Sequence, residues 1–183
     1  MLEAVHSVLG AFLVRGPLRA RIVEVEAYRG SDDPGSHAFR GRTPRNEVMF
    51  GRPGLAYVYF TYGMHWMLNV VVGPVGEASA VLVRAAEPLE GLELMRERRP
   101  KARVAEDLLS GPAKLAAAFG IERAENGLDL LSPSSDLRLL PGPRVAQVAV
   151  GTRIGLARGN GDELPWRFCD GSALRWVSRP HPR

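Results

Sequence analysis

The stretch that decides the fold is Gly54-Leu-Ala-Tyr-Val-Tyr-Phe-Thr-Tyr-Gly-Met-His-Trp-Met-Leu-Asn-Val-Val-Val72. Two runs rich in aromatic and β-branched residues flank Gly63, and this pattern predicts a β-hairpin. A three-residue loop, Thr61-Tyr62-Gly63, would place Gly63 in the left-handed conformation that closes such loops. In that register Phe60 pairs with Met64, and Tyr62 lies exposed at the tip.

The three-residue loop divides the hairpin into two faces of different character, because side chains alternate along a strand. One face is wholly apolar and is expected in the core: Ala56, Val58, Phe60, Met64, Trp66, Leu68 and Val70. The other carries Tyr57, Tyr59, His65, Met67 and Asn69. A two-residue Tyr62-Gly63 turn would instead put Asn69 on the apolar face, where its amide has no evident partner. We therefore predict the three-residue loop.

A second strand is predicted upstream, in Arg21-Ile-Val-Glu-Val-Glu-Ala-Tyr28. Its alternation turns Glu24, Glu26 and Tyr28 to one side of the strand. Acidic residues are poor strand formers and are rarely buried, so they need either solvent or a function. A solvated edge strand and a functional role are both open for Glu24. Glu26 is the stronger candidate for chemistry, because it neighbours Tyr28 and a Gly/Asp/Pro loop.

Length and composition bound the remaining possibilities. A chain of 183 residues that is 45% hydrophobic predicts a single domain, residues 1–183. The net charge of +4 permits nucleic-acid binding but is also common among soluble proteins. Lys101 and Lys114 are the only lysines, so the other basic side chains apart from histidine are arginines, which can bind phosphate through two hydrogen bonds. The single Cys169 fits a reducing compartment. Without a signal peptide or a membrane-length apolar run, we expect a cytoplasmic protein that does not associate with membranes.

The other elements are predicted from local signals. Arg29 to Asn46 reads as a long ordered loop, and its His37 lacks partners at metal-ligand spacing. The pattern further predicts a strand over 11–14, a strand over 78–85 with Arg84 at its end, a helix from Glu87-Pro88 to Arg99, a helix capped by Ser110 and ended by Gly120, and strands after Arg144. The tail from Ser178 is expected to fray. The fold class is therefore mixed α/β (α+β), with a curved, mainly antiparallel sheet, peripheral helices and a protruding hairpin.

Several motifs occur together in one order: Val25-Glu-Ala-Tyr-Arg-Gly30, His37, Arg42-Thr-Pro-Arg-Asn46, Met49-Phe50, Tyr57-Val-Tyr59, Tyr62-Gly-Met64 and Asn69. This set resembles the alkyladenine (3-methyladenine) DNA glycosylase family. The likeness continues in Val81-Leu-Val-Arg-Ala-Ala-Glu-Pro-Leu-Glu-Gly91, in Ser110-Gly-Pro-Ala-Lys-Leu115 and, more faintly, in Arg153-Ile-Gly155 and Trp166-Arg-Phe168. The chain departs from animal members in lacking an N-terminal extension, in His65 and in the stretch from Ile121 to Arg144.

The resemblance implies a bacterial-type, nucleoid-associated enzyme that acts as a monomer on double-stranded DNA. It would flip out alkylated or deaminated purines, such as 3-methyladenine and hypoxanthine, and hydrolyse the N-glycosidic bond to leave an abasic site. Glu26 would be the catalytic carboxylate, and Arg84 would orient the water. The remaining roles carried over are base contacts by Tyr28, His37, Tyr59, Asn69 and Leu82, intercalation by Tyr62, and DNA contacts by Arg42, Thr43, Met64, His65 and Lys114.

Neither the acidic strand nor the hairpin contains a lysine that could form a Schiff base, so we predict a monofunctional glycosylase without strand cleavage. No metal or organic cofactor is expected. Two alternatives remain at this stage. One is a non-catalytic nucleic-acid-binding module that inserts Tyr62 and has no need of Glu26. The other is a metal hydrolase using His37, His65 and Glu26, for which the sequence offers no further ligand.

Overall fold

The computed structural model describes residues 2–179. Two twelve-residue strands, β2 (Leu18–Arg29) and β5 (Ser79–Glu90), pair antiparallel at the centre of one sheet. The other edge of β2 is shared, since β1 (Phe12–Arg15) pairs with its first part and β8 (Arg167–Asp170) pairs with Glu24 to Glu26. The acidic strand predicted from the sequence therefore lies inside the sheet, with neighbours on both sides.

The remaining strands extend this centre outward. The hairpin strands β3 (Ala56–Thr61) and β4 (His65–Val71) join through β4 to β5, while β6 (Leu137–Leu140) pairs with β1 and β7 (Val148–Gly151) pairs with β8. The order is β3-β4-β5-β2-β1-β6, and the pairings are antiparallel. Register shifts between β2 and β5 add twist, so the sheet curls. The predicted α+β class with a curved antiparallel sheet is confirmed.

Short helices surround the sheet in the described part of the chain: α1 (Leu2–Val8), α2 (Leu92–Arg98), α3 (Glu106–Leu109) and α4 (Pro112–Phe119). Single 3₁₀ turns occur at Glu47–Phe50, Arg123–Glu125 and Leu174–Trp176. The main core joins the apolar side of the central strands to α4, where Leu115 and Phe119 are fully buried. Within residues 2–179, no helix has the length and apolar character that a membrane crossing needs.

The hairpin has the predicted faces but a different register. Thr61 pairs with His65 and Phe60 with Trp66, so the loop is Tyr62-Gly63-Met64 rather than Thr61-Tyr62-Gly63. Gly63 is left-handed as predicted (φ 67°), and Tyr62 is left-handed too (φ 53°). Relative to the prediction, the partner of each residue moves by two positions. Because side chains alternate with a period of two, the paired residues keep their predicted faces, and Met64 moves from the apolar face into the loop.

The expectation that the whole apolar face is core is wrong at the tip. Phe60 is 44% exposed and Met64 is 68% exposed, whereas Val58 and Leu68 near the base are buried. The pairing between β4 and β5 begins at Asn69, so the outer half of the hairpin has no neighbouring strand to cover it on that edge. The hairpin therefore projects from the sheet.

Two element boundaries also differ from prediction. The chain stays in β5 to Glu90, where a helix from Pro88 was expected, because pairing with β2 continues and Arg21 bonds to Glu87 at 3.0 Å. The helix α2 begins only after the left-handed Gly91 (φ 74°). Ser110 does not cap α4, since it bridges to Ala85 in the sheet and makes no capping bond. Gly120 (φ 63°) ends α4 as predicted.

The solvated-edge interpretation of Glu24 is also wrong. Its carboxylate is fully buried and accepts bonds from Arg167 Nε at 2.6 Å, Arg84 Nε at 3.2 Å and both the amide and the hydroxyl of Ser178. Ser178 is itself buried, so the predicted fraying of the tail does not begin there. The last part of that prediction, residues 180–183, lies outside the described residues. Glu24 thus anchors the C-terminal segment to the centre of the sheet.

Candidate active site

One row of side chains crosses four strands on one face of the sheet. Glu26 of β2 is the partner of Leu82 in β5, Leu82 is the partner of Asn69 in β4, and Asn69 is the partner of Tyr57 in β3. Directly paired residues project to the same face of a sheet. Residues from separate motifs of the sequence therefore meet along a single line.

A cavity of about 350 Å³ opens on this face, a size typical of small-molecule sites. Seven residues predicted from the sequence line it: Tyr28, His37, Tyr59, Tyr62, Asn69, Leu82 and Arg84. The structure brings these side chains together, and their individual roles stay predictions. The lining also contains residues without a predicted role: Gly35, Met49, Tyr57, Thr61, Met67, Pro112, Ile154, Gly155 and Leu156.

Glu26 lies directly behind the cavity wall. It is fully buried, and the wall residues Tyr28, Arg84 and Ile154 direct donors at it. The Tyr28 hydroxyl donates to Oε2 at 2.8 Å, the Ile154 amide donates to Oε1 at 2.7 Å, and Arg84 Nη1 lies 3.2 Å from Oε1. The carboxylate is therefore fixed in orientation and lies one side chain away from any molecule in the cavity.

Arg84 links the buried acids of β2. Its Nε bonds to Glu24 and its Nη1 pairs with Glu26, both at 3.2 Å. Burial alone would lower the pKa of the guanidinium, but the carboxylates of Glu26 and Glu24 raise it above its ordinary value. Arg84 therefore remains a cation at the floor of the cavity.

Aromatic rings form one side of the cavity. The His37 ring packs edge-on against Tyr59 with centroids 4.5 Å apart, and His37 Nδ1 lies 2.8 Å from the hydroxyl of Tyr57. Burial against these neighbours and, second, the Arg45 cation lower the pKa of His37, so its imidazole is neutral near pH 7. Burial and, second, Tyr59 raise the pKa of Tyr57, and burial with the nearby Glu26 raises the pKa of Tyr59 to about 12.

Asn46 holds the long loop that carries His37. Its side-chain amide donates to the carbonyls of His37 and Gly41 at 2.8 and 2.9 Å, and its Oδ1 accepts from the Thr43 amide at 2.7 Å. Asn46 is 1% exposed, so one buried side chain replaces the backbone pairing that the loop lacks. This explains how a segment without strand or helix can position a pocket residue.

Asn69 combines a structural bond with access to the cavity. Its Nδ2 donates to the Tyr57 carbonyl at 3.1 Å, across the β3–β4 pair. The residue is 3% exposed, and that remaining surface faces the cavity. The backbone bond fixes the orientation of the amide, which makes Asn69 a rigid part of the wall.

Apart from Tyr62, the predicted DNA contacts lie outside the cavity. Tyr62, at the hairpin tip, is 75% exposed and forms part of the cavity mouth, and Met64 and His65 are exposed beside it. Thr43 is exposed, and Arg42 pairs with Glu47 at 2.8 Å on the open surface. Lys114 near the start of α4 bonds to Ser110 at 3.2 Å and stays partly exposed. These side chains are accessible to a large ligand.

Sequence reasoning missed the loop around Ile154, although the Arg153-Ile-Gly155 motif was a signal for it. It also missed Asp33 and Arg153, which form a fully buried ion pair with two 2.7 Å bonds. Within the described residues, no group of three or more His, Cys, Asp or Glu side chains is arranged to hold a metal ion, as the metal-hydrolase alternative would need.

Comparison with known proteins identifies relatives along nearly the whole chain. Residues 1–173 match the model of the family described as methylpurine-DNA glycosylase (MPG). A protein of Streptomyces avermitilis is 52% identical over 175 residues, which cover 92% of this chain and 82% of that protein. A Methanocella arvoryzae protein is 48% identical over 174 residues, covering 92% and 86%. Both carry the provisional name 3-methyladenine DNA glycosylase.

Proposed function

This chain belongs to the methylpurine-DNA glycosylase family and is a monofunctional DNA glycosylase of DNA repair, and we propose that it excises alkylated and deaminated purines, including 3-methyladenine and hypoxanthine. The observation that carries the proposal is the buried Glu26 carboxylate, held by wall residues of an aromatic cavity whose mouth contains the exposed Tyr62.

The cavity supports a mechanism in which the damaged nucleotide leaves the helix. A base stacked inside duplex DNA cannot enter a protein cavity, so the nucleotide must rotate out of the stack at a cost of a few kcal/mol. Tyr62 projects from the tip of an uncovered hairpin and has the shape of a wedge that fills the vacated space from the minor groove. Met64, His65, Arg42, Thr43 and Lys114 are the proposed contacts to the flanking DNA.

The aromatic lining supports recognition of the extruded base by stacking. Tyr28 forms one wall, and His37 with Tyr59 forms another. Stacking on an aromatic side chain contributes about 1–3 kcal/mol per base, enough to offset much of the cost of extrusion. Leu82 supplies apolar contact at the floor, and Asn69 presents its amide to the edge of the base.

The buried charges fit hydrolysis of the N-glycosidic bond. As the bond from C1′ to the base nitrogen breaks, the electron pair leaves with the base and the sugar gains oxocarbenium character. A water oxygen then bonds to C1′, and its proton passes to the buried Glu26, the general base, through the Tyr28 hydroxyl, which lines the cavity and donates its own proton to Oε2. Arg84 lies at the floor of the cavity, 3.2 Å from Glu26, where it can orient that water. A cationic lesion such as 3-methyladenine leaves as the neutral purine, a hypoxanthine anion takes up one proton from solvent, and Glu26 releases its proton afterwards, so the products are the free purine and an abasic site.

We further propose that the protein works as a monomer on double-stranded DNA in the cytoplasm, in association with the chromosome, and that it requires neither a metal nor an organic cofactor. The proposed hydrolysis needs a carboxylate, a cation and water, and Glu26 and Arg84 supply the carboxylate and the cation. No step requires a lipid surface.

One assay tests this function. Duplexes containing a single hypoxanthine or 3-methyladenine are incubated with the protein in excess chelator, and abasic sites are detected by alkaline cleavage. We expect excision by the parent, no strand cleavage before alkali, and at least a 100-fold slower reaction with Glu26→Gln. The amide can keep the network, because its oxygen accepts from Ile154 and Arg84 and its NH₂ donates to Tyr28. Binding without excision by the parent would favour the non-catalytic module.

A further inference from the structure

Arg153 is a fully buried cation that the proposed mechanism leaves without a task. Its two terminal nitrogens bond to the two oxygens of Asp33 at 2.7 Å each, and they also donate to the carbonyls of Ala27 and Gly161 at 3.1 Å. The side chains of Arg153 and Asp33 are both 0% exposed. Such a pair is costly to desolvate, so it contributes little to stability compared with apolar packing.

The guanidinium lies against the ring of Tyr28. Its central carbon is 4.7 Å from the ring centroid, within the range of a cation–π contact. Tyr28 lines the cavity, whereas Arg153 does not, and the Arg153 side chain has no exposed surface. The cation therefore lies on the side of Tyr28 that faces away from the cavity, and the ring separates it from a bound base.

The surrounding backbone is shaped to admit this guanidinium. A Cβ atom on Gly35 would lie 2.9 Å from Arg153 Nη2, and one on Gly161 would lie 2.5 Å from the same atom. Side chains at these glycines would displace the guanidinium, and Gly161 also has a left-handed φ of 70°. Two neighbouring loops are thus built around one charge behind the stacking wall.

We propose that Arg153 is a specificity-determining residue that makes Tyr28 stack better on neutral lesion bases than on cationic ones. The inference rests on the proposed function, since it concerns a base in the same cavity. Tyr28 offers a negative π face on each side of its ring, and the guanidinium already occupies one of them. A cationic base stacked on the other face is attracted less strongly, because the guanidinium has already drawn the π electrons of the ring toward itself.

The chemistry of the two lesion classes makes the distinction concrete. Alkylation at N7 of a guanine nucleotide leaves a positive charge on the purine, whereas hypoxanthine is neutral. Removing the positive charge from position 153 should therefore favour 7-methylguanine over hypoxanthine. An Arg153 that only holds the loops in place would, when lost, weaken binding of both bases together.

Equilibrium binding is measured on two duplexes that carry 7-methylguanine or hypoxanthine on a 2′-fluoro sugar, a modification that slows glycosidic cleavage. We expect Arg153→Gln to raise the affinity ratio of 7-methylguanine to hypoxanthine about two- to fivefold. Arg153→Lys keeps the charge and should leave the ratio within about twofold. Arg29→Gln is the matched control, because Arg29 lies 5.2 Å from the Trp166 ring and outside the cavity lining.

Folding is followed by thermal melting. If Arg153→Gln does not fold, the pair Asp33→Asn with Arg153→Gln removes both charges, leaves no unpaired buried carboxylate, and should shift the ratio in the same direction. An unchanged ratio in a folded charge-free variant overturns the proposal, as does an equal shift with Arg153→Lys. Excision from unmodified sugars by the parent is recorded in parallel, so a failure of the proposed function is seen separately from a failure of this inference.

Discussion

The hydroxyl of Tyr28 donates a 2.8 Å hydrogen bond to Oε2 of Glu26, two residues earlier on the same strand. Residues at i and i+2 of a strand share a face, so this contact follows from the local sequence. Burial first, and then the Glu26 carboxylate, raise the pKa of Tyr28 well above its ordinary value, so the phenol remains a donor. The proposed stacking ring and the proposed catalytic acid are therefore joined by one hydrogen bond.

Replacing Tyr28 by Phe should separate stacking by the ring from the hydrogen bond to Glu26. Tyr28→Phe keeps the ring but removes a donor to a carboxylate, a bond type that contributes about 1.5–3 kcal/mol. We expect single-turnover excision to fall roughly 10- to 100-fold while lesion binding changes less than about twofold. Tyr62→Phe, which changes an exposed tyrosine, is the control and should keep the parent's chemical rate. A parent-like rate with Tyr28→Phe would remove the hydroxyl from the mechanism.

Glu24 should behave as a structural residue, unlike Glu26. Glu24→Gln leaves the buried Arg84 and Arg167 without their shared carboxylate, and breaking a buried pair in this way costs about 3–5 kcal/mol of unfolding free energy. Glu93→Gln is the matched control, since Glu93 is 83% exposed and pairs with Arg96 on the surface. It should change stability by less than about 1 kcal/mol. Urea unfolding of the parent, Glu24→Gln and Glu93→Gln measures these differences. An unchanged midpoint for Glu24→Gln would contradict a stabilising role for its ion pairs with Arg84 and Arg167.

The sequence predicts those parts of the site that depend on short-range periodicity. Glu26 and Tyr28 share a face because they are two residues apart, and Tyr57 and Asn69 share one because a register error of two residues preserves alternation. The burial of Glu24 could not be predicted in this way, because its partners Arg167 and Ser178 lie 143 and 154 positions away. Asp33 and Arg153 are separated by 120 residues, and no local pattern couples them.

Helix and strand boundaries failed where tertiary contacts overrule local signals. Pro88 is a favourable first residue of a helix, yet pairing of β5 with β2 keeps it in a strand. Ser110 is a good N-cap residue, yet its backbone bridges to Ala85 in the sheet. In both cases continued strand pairing stabilises the fold more than a single helix cap would.

The neutral state of His37 can be tested by titration. Burial and the Arg45 cation lower its pKa from an ordinary value of about 6.5, so the unfolded chain binds a proton first as the pH falls. His37 thus contributes to stability above about pH 6.5, and that contribution is lost as the pH falls through the folded-state pKa. Tyr57→Phe removes the bond between the Tyr57 hydroxyl and Nδ1 and should raise the pKa of His37.

Nitrogen-15 NMR of the imidazoles measures this, with His37→Gln to assign the signal. We expect the parent to show His37 as the neutral Nε2–H form near pH 7, the tautomer in which the Tyr57 hydroxyl donates to Nδ1. A His37 pKa above 6.5 in the parent, or an unchanged pKa in Tyr57→Phe, would contradict the assignment.

Arg42 should contribute one phosphate contact. If so, the slope of log affinity against log salt becomes shallower by about 0.9 in Arg42→Ala. In the free protein Arg42 pairs with Glu47 on the exposed surface, a contact that DNA phosphate can replace at little cost. Fluorescence anisotropy between roughly 50 and 200 mM salt measures the slope. Arg96→Ala, which removes an exposed arginine paired within α2, is the control, and equal slopes for the parent and Arg42→Ala would place Arg42 off the DNA.

Asn69 should act as a gate against guanine. Its Nδ2 is fixed by the Tyr57 carbonyl at 3.1 Å, and its exposed surface faces the cavity, so it cannot easily move away from a bound purine. Guanine carries a 2-amino group that adenine and hypoxanthine lack. Asn69→Ser shortens the side chain and should raise excision of guanine and alkylated guanine relative to hypoxanthine, while loosening the fit of preferred lesions.

The same hydrogen bond supplies the competing explanation, in which Asn69 only joins β3 to β4. Its loss would then cost about 1 kcal/mol of stability and leave base preference unchanged. Because the residue has both contacts, we expect both effects: a lower melting temperature and a higher guanine-to-hypoxanthine ratio. Single-turnover rates on matched duplexes, measured below the melting temperature, separate them. A folded Asn69→Ser protein with the parent's ratio would leave Asn69 with the strand-joining role alone, since destabilisation by itself slows both substrates equally.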